Sequence, residues 1–253
     1  MRVLCMTVVA AMTAGGLRGT EELPVIDLSE DSDRHVIIAS GEKVYQGHPT
    51  TELMPDGRTM YCVWSINHGG PCGPLKRSDD GGKTWSELLP VPESWNKVRN
   101  CPSIYLLPDS GGKERLFVFA GQGPGGQMHQ SCSEDGGRSW SPMKPNGLVA
   151  VMPFCWITPV DGGKRLLGMT NIRRPGATTE KKSNVVAQSF SSDGGFTWTP
   201  WRVVADIPGK KPCEPFILRS PDGRELCCLM RENTHKGNSL MMFSRDEGAT
   251  WSK

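Results

Sequence analysis

Apolar residues along this chain gather in short runs bounded by Gly, Pro, Asp and Asn. Runs at 59–66, 115–120, 165–170 and 225–231 are rich in Val, Leu, Met and Phe. Each follows an Asp-Gly type of turn: Pro55-Asp56-Gly57, Pro108-Asp109-Ser110-Gly111, Asp161-Gly162 and Pro221-Asp222-Gly223. Short apolar runs entered through such turns predict β-hairpins.

A second pattern keeps step with the first. The octapeptide S-x-D-x-G-x-[TS]-W starts at Ser78, Ser133, Ser191 and Ser244 and closes on Trp85, Trp140, Trp198 and Trp251, with separations of 55, 58 and 53 residues. A fixed period of this length marks a repeated supersecondary unit. The carboxylates of Asp80, Asp135, Asp193 and Asp246 can accept hydrogen bonds from amides just ahead of them, Gly allows the tight turn, and the Ser or Thr hydroxyl ties the loop back. These aspartates are therefore read as structural. Each unit becomes strand, turn, strand, loop, strand, box, strand, which predicts an all-β protein, a β-propeller built from four-stranded antiparallel blades.

Composition agrees. Thirty Gly and 20 Pro in 253 residues point to many turns and few long helices. Lys and Arg number 29 against 27 Asp and Glu, a net charge of +2, which supplies no field that would call for nucleic acid or an anionic membrane. Met1-Arg2, the apolar run 3–14 and small residues at 14–16 read as a signal peptide over 1–16, with 17–33 as a linker and 34–253 as an incomplete propeller domain. That implies a secreted or periplasmic protein; a misassigned start codon ahead of a disordered arm is the alternative. No later segment is long and apolar enough to span a membrane. The nine cysteines show no spacing that fixes a disulfide pairing, and buried free thiols fit them best. With no CxxC and no HExxH, neither a metal nor another cofactor is expected.

Strand polarity then places a site. In a four-stranded meander the first and third turns share one end, so the boxes and the Asp-Gly turns lie on one face. The opposite face collects the lead-ins Gly47-His48-Pro49, Asn100-Cys101-Pro102, Phe154-Cys155-Trp156 and Cys213-Glu214-Pro215. It also collects the loops Asn67-His68-Gly69-Gly70, Gly121-Gln122-Gly123, Asn171-Ile172-Arg173-Arg174 and Arg231-Glu232-Asn233. Convergent polar groups around one mouth predict a binding site there.

The boxes, at about fifty residues apart, give residues 34–253 a resemblance to the sialidase (neuraminidase) superfamily, and more narrowly to bacterial sialidase-like proteins with Asp-box (BNR) repeats. The resemblance implies a six-bladed ring of which about four blades are present. It also implies that Glu214 activates a tyrosine nucleophile and that Arg231 is one of three arginines gripping a substrate carboxylate. Their place on the mouth makes Arg173, Arg174, Asn171, Asn233, Asn67 and Asn100 candidate substrate contacts. A Glu214–Arg231 pair that merely ties strands together is the structural alternative. Two departures stand out. Gly47-His48-Pro49 replaces the family's first arginine, and no acid-base aspartate is found near Trp64-Ser65-Ile66-Asn67-His68, where His68 or His48 could serve as the proton donor instead. The family's nucleophile and last arginine fall beyond Lys253, and Tyr45, Tyr61 and Tyr105 do not occupy the nucleophile's place.

Three functions follow: a sialidase-like glycoside hydrolase acting on terminal acidic sugars of glycoconjugates, a non-catalytic propeller that binds a glycan or small acidic sugar, and a scaffold that binds a partner. An incomplete ring should leave two unpaired edges, with residues 34–40 serving as a strand of the closing blade.

Overall fold

The computed structural model describes residues 25–123, 125–176 and 184–252, and the expected signal segment 1–16 lies outside them. Met1–His35 and Val36–Lys253 are separate compact units. In the first, the described residues make one 3-10 turn, Ser32–Arg34, beside an Arg34–Asp31 ion pair of 2.6 Å.

The second unit is a series of antiparallel sheets, each formed by strands consecutive in the chain. The first holds β1 (Gln46–Leu53), β2 (Met60–Ile66) and β3 (Cys72–Ser78). The second holds β4 (Ser103–Pro108), β5 (Glu114–Ala120), β6 (Gln127–Ser133) and β7 (Lys144–Val149). β8 (Trp156–Val160), β9 (Arg165–Arg173), β10 (Asn184–Ser191) and β11 (Arg202–Ala205) form the third. The fourth has β12 (Pro212–Arg219), β13 (Leu226–Glu232) and β14 (Leu240–Ser244). The four predicted apolar runs are the second strands β2, β5, β9 and β13.

Four strands per sheet were expected, and the first and fourth sheets have three. In the first, the chain after the box does start to pair, with Ser86 N–H donating to Arg77 O at 2.8 Å and Leu89 N–H to Leu75 O at 2.9 Å. Pro90 and Pro92 then have no N–H to offer, and the ladder stops. In the fourth, Ser252 N–H to Phe243 O, 2.7 Å, is the equivalent first rung. Residues 36–45 form no strand here. They are tied to the first sheet at Ile38, whose O accepts from Lys76 Nζ at 2.9 Å; within that sheet Trp64 Nε1 donates to Gln46 Oε1 at 2.6 Å, and Cys62 and Trp64 are buried.

Alternation along each second strand sends side chains to both neighbouring sheets. Tyr61 and Val63 of β2 face Leu116 and Val118 of β5 in one core cluster. Phe117 and Phe119, from the other side of β5, pack with Phe154, Ile157 and Leu166 in the next. Leu167 and Met169 meet Ile217, Leu226 and Cys228 in the last. The hydrophobic core is thus a set of layers between successive sheets, the construction of a β-propeller.

The boxes have the geometry their residue types dictate. Asp135 Oδ1 accepts from Ser133 Oγ, Arg138 N and Ser139 N, and Oδ2 from Ser139 Oγ at 2.6 Å. Asp80, Asp193 and Asp246 repeat the pattern with Thr84, Thr197 and Thr250. The Ser139 hydroxyl, then the Ser139 amide, hold the Asp135 carboxyl well below the usual range.

The second, third and fourth boxes also dock on the sheet before them. Tyr61 Oη donates to Gly136 O at 2.6 Å, and a Cβ on Gly137 would lie 2.4 Å from the Tyr61 ring. Equivalent close approaches would put a Cβ on Gly195 2.9 Å from Leu107 and one on Gly248 2.8 Å from Leu167. Gln130 Nε2 reaches Gly195 O and Gln188 Nε2 reaches Gly248 O, at 3.2 and 2.9 Å.

This contact generates a stability test. Gly136 and Gly137 both have positive φ, 72° and 88°, but a Cβ on Gly136 meets nothing within 4 Å. Replacing each by Ala in turn should cost the same backbone strain, plus about 1–3 kcal/mol of overpacking for Gly137 alone. Chemical denaturation that finds equal losses for Gly136→Ala and Gly137→Ala would remove the docking contact from the account.

Candidate functional site

Three of the four lead-ins use the same backbone device. His48, Cys101 and Glu214 have φ of 51°, 53° and 51°, and each directly precedes a proline, Pro49, Pro102 or Pro215. Positive φ is uncommon away from glycine, and a residue before proline is ordinarily extended. In the first and fourth sheets the device interrupts the ladder, between Gly47 and Thr50 and between Cys213 and Phe216. His48 and Glu214 are therefore bulge residues, released from the in-out alternation of their strands. Backbone held in this way has to be over-determined by its surroundings.

For Glu214 those surroundings are specific. Its N–H donates to Asn171 Oδ1, 3.2 Å away on β9, and Asn171 is 2% exposed. Its Oε1 lies 2.9 Å from Arg231 Nη2 on β13, while Arg231 Nε donates to Cys213 Sγ at 3.4 Å. The pair is not sealed in, since the Arg231 side chain is 50% exposed and that of Glu214 39%. Glu232 next door is buried. Its carboxylate accepts from Lys211 N at 2.9 Å, Thr234 N at 3.1 Å and the Thr234 hydroxyl. These bonds, the Thr234 hydroxyl foremost, hold it at about 2. Sequence reading passed over Glu232, although Glu232-Asn233-Thr234 has the acceptor-then-hydroxyl spacing of a side-chain-closed turn.

His48 and His68 meet edge to face, ring centroids 4.6 Å apart. Burial and then the neighbouring His68 lower the His48 pKa, and the Glu214 carboxylate opposes them. His48 is thus neutral at pH 7, and its Nδ1 is buried without a partner among the described residues.

Other predicted contacts are used differently. Asn171 is a buried acceptor that positions Glu214. Asn100 is a staple, not a free surface amide. Its Nδ2 donates to Val151 O at 2.6 Å, its N–H to Gly70 O, and its carbonyl accepts from Gly121 N, which binds the mouth loops of three sheets together. Arg174 is engaged by Asp206 just beyond β11, on the outer side of its sheet. Arg173 has no carboxylate partner among the described residues. Asn67, φ 63°, donates its N–H to Tyr45 O at 2.7 Å, and Asn233 donates its own to Lys211 O at 3.0 Å.

The cysteines from 62 onward are free thiols. Burial pushes Cys101 up to about 11 and Cys155 up to about 12, so these mouth thiols stay protonated. Among the described residues no three His, Cys, Asp or Glu stand close enough to hold a metal ion, and no helix is long and apolar enough to cross a membrane.

Against known proteins, the BNR/Asp-box repeat family matches residues 76–87, the first box. No curated protein matches the chain in sequence. Among solved structures it is similar to a protein of unknown function from Dyadobacter fermentans, with 17% identity and a TM-score of 0.64 over 86% of this chain and 70% of that one. It is also similar to an α-L-arabinanase from Penicillium chrysogenum complexed with arabinobiose, 18% identity and TM-score 0.60, over 82% and 66%. An intramolecular trans-sialidase from Ruminococcus gnavus in complex with oseltamivir carboxylate follows, 14% identity and TM-score 0.57, over 83% and 70%. The chain spans about two thirds of these proteins, and at such identities the likeness is one of fold.

If Asn171 fixes Glu214, then Asn171→Ala strands a backbone N–H. A loss of about 1–3 kcal/mol should appear in denaturant unfolding, and unchanged stability would show that the bulge holds itself.

Proposed function

We propose that the mouth is the sugar site of a sialidase-like glycoside hydrolase acting, outside the cytoplasm, on terminal acidic sugars of glycoconjugates. The observation that carries this reading is the half-exposed Glu214–Arg231 pair at a strained bulge, 2.9 Å apart. A guanidinium fork suits a sugar carboxylate in a bidentate grip. In this reading Arg231 exchanges its bond to Glu214 for the ligand. Glu214, freed, takes the proton from the attacking hydroxyl, and the His48 ring hands a proton to the leaving oxygen as the glycosidic bond breaks, regaining one from solvent. Arg173, Asn67 and Asn233 offer further contacts along the rim, with His68 backing His48.

A second reading is a carbohydrate-binding propeller without turnover, and two of the three tyrosines, Tyr61 and Tyr105, are committed to structural bonds that suit either reading. Tyr61 Oη is bonded to Gly136 O on the box face. Tyr105 Oη donates to Phe154 O at 3.0 Å, and burial pushes its pKa far up. Neither is placed to attack a sugar.

Two measurements separate the readings. Calorimetric titration with N-acetylneuraminic acid should give binding that Arg231→Ala weakens by roughly 10–100-fold, the worth of a charge-assisted contact. A fluorogenic sialoside should be turned over if the first reading holds, and Glu214→Gln should abolish turnover while leaving binding within a few-fold. Binding without turnover selects the second reading, and binding indifferent to Arg231→Ala removes both.

A further inference from the structure

Arg231 is held along one edge only. Its Nε–H donates to Cys213 Sγ at 3.4 Å, and its Nη2 lies 2.9 Å from Glu214 Oε1. Its Nη1 has no protein partner among the described residues. Nε and Nη2 lie side by side along one edge of the planar guanidinium, so two consecutive residues, a thiol and a carboxylate, share that edge. The end of the fork, Nη1 beside the outer hydrogen of Nη2, is left open.

The thiol works from a fixed position. Cys213 on β12 stands directly opposite Arg231 on β13 and is 2% exposed. Its Sγ also donates to Arg231 O at 3.6 Å. A thiol has one hydrogen, and with that hydrogen turned to the carbonyl, Nε–H meets the sulfur lone pairs. Main chain and side chain of one arginine are thus tied to one atom. Burial pushes the Cys213 thiol up, so this acceptor is neutral at pH 7. A carboxylate in its place would offset the charge that a ligand anion needs, whereas a weak neutral acceptor aims the guanidinium and leaves its charge intact. The lead-ins of the other sheets have Gly47, Asn100 and Phe154 at this place, so the thiol stands there only beside Glu214.

We infer that Cys213 is a positioning residue: its sulfur keeps hold of Nε when Nη2 passes from Glu214 to a ligand, so that a carboxylate is met end-on by Nη1 and Nη2. The inference rests on the mouth being the site of an acidic sugar, and extends that reading to the residue that aims the fork.

Two readouts test it. In the ligand-free protein, solvent exchange of the Arg231 Nε–H, followed by NMR, should be about tenfold faster in Cys213→Ala than in the native chain. In calorimetric titration, Cys213→Ala should weaken binding of N-acetylneuraminic acid by about 5–10-fold and leave binding of its methyl ester, which carries no carboxylate, within about twofold of native. Cys213→Ser, whose shorter side chain leaves its oxygen farther from Nε, should move both readouts the same way by less, and it carries the test where the alanine variant does not fold. Equal losses for acid and ester would make Cys213 a packing residue and overturn the inference. So would Nε–H exchange that is the same in all three proteins. A native chain that binds no N-acetylneuraminic acid would remove the sugar reading instead, and the exchange rates would still decide whether the thiol holds Nε.

Discussion

The arrangement depends on one close contact, an Asp-box glycine pressed on the side chain of the sheet before it. Gly137 leaves no room for a Cβ against Tyr61, nor Gly248 against Leu167. Because the box is rigid, with its carboxylate accepting from the amide and hydroxyl four residues ahead, the contact fixes more than a loop. It sets how far each sheet stands from the last and which side of its second strand faces that sheet. The apolar layers then fill in behind it, and burial of Phe117, Phe119, Phe154 and their neighbours supplies the bulk of the stabilisation, on the order of 1.5–3 kcal/mol for each large side chain.

That spacing is what lets the far ends of the sheets do chemistry. Box and Asp-Gly turns take up one face, so the lead-ins and second loops meet on the other, where backbone regularity is given up. Positive φ before proline at His48, Cys101 and Glu214 is costly. It is held by neighbours from adjacent sheets: Asn171 for Glu214, and the Asn100 bonds to Gly70, Gly121 and Val151 for the middle lead-in. Glu214 and Arg231 come from strands of one sheet, but the Glu214 carboxylate of the fourth sheet also acts on His48 of the first.

Much of this was legible in the sequence because the signals are local. A carboxylate, a glycine two residues on and a hydroxyl within eight residues dictate a turn whatever surrounds them, and the second strands announced themselves within a residue or two at β2, β5 and β13. The lead-ins could be placed on the mouth by strand polarity alone. What sequence could not supply was the partner of each polar group. Asn171 and Asn100 read as surface amides, yet burial made one the acceptor for a backbone N–H and the other a staple. Arg174 differs from Arg173 only in meeting Asp206, thirty-two residues on. The missing fourth strand of the first sheet had a visible cause in Pro90 and Pro92, which compete with a strong repeat and win because they lack the donor.

The central claim is that the lead-ins of the first and fourth sheets converge, so that Glu214 and His48 act on one space. The most direct measurement is the titration of the His48 ring by NMR in the native chain and in Glu214→Gln. The native ring should titrate below the ordinary histidine value of about 6.5. Removing the carboxylate takes away the group that favours the imidazolium, so the pKa should fall further in the variant. A His48 pKa that is the same in both proteins, or that rises in the variant, would contradict the convergence on which the site rests.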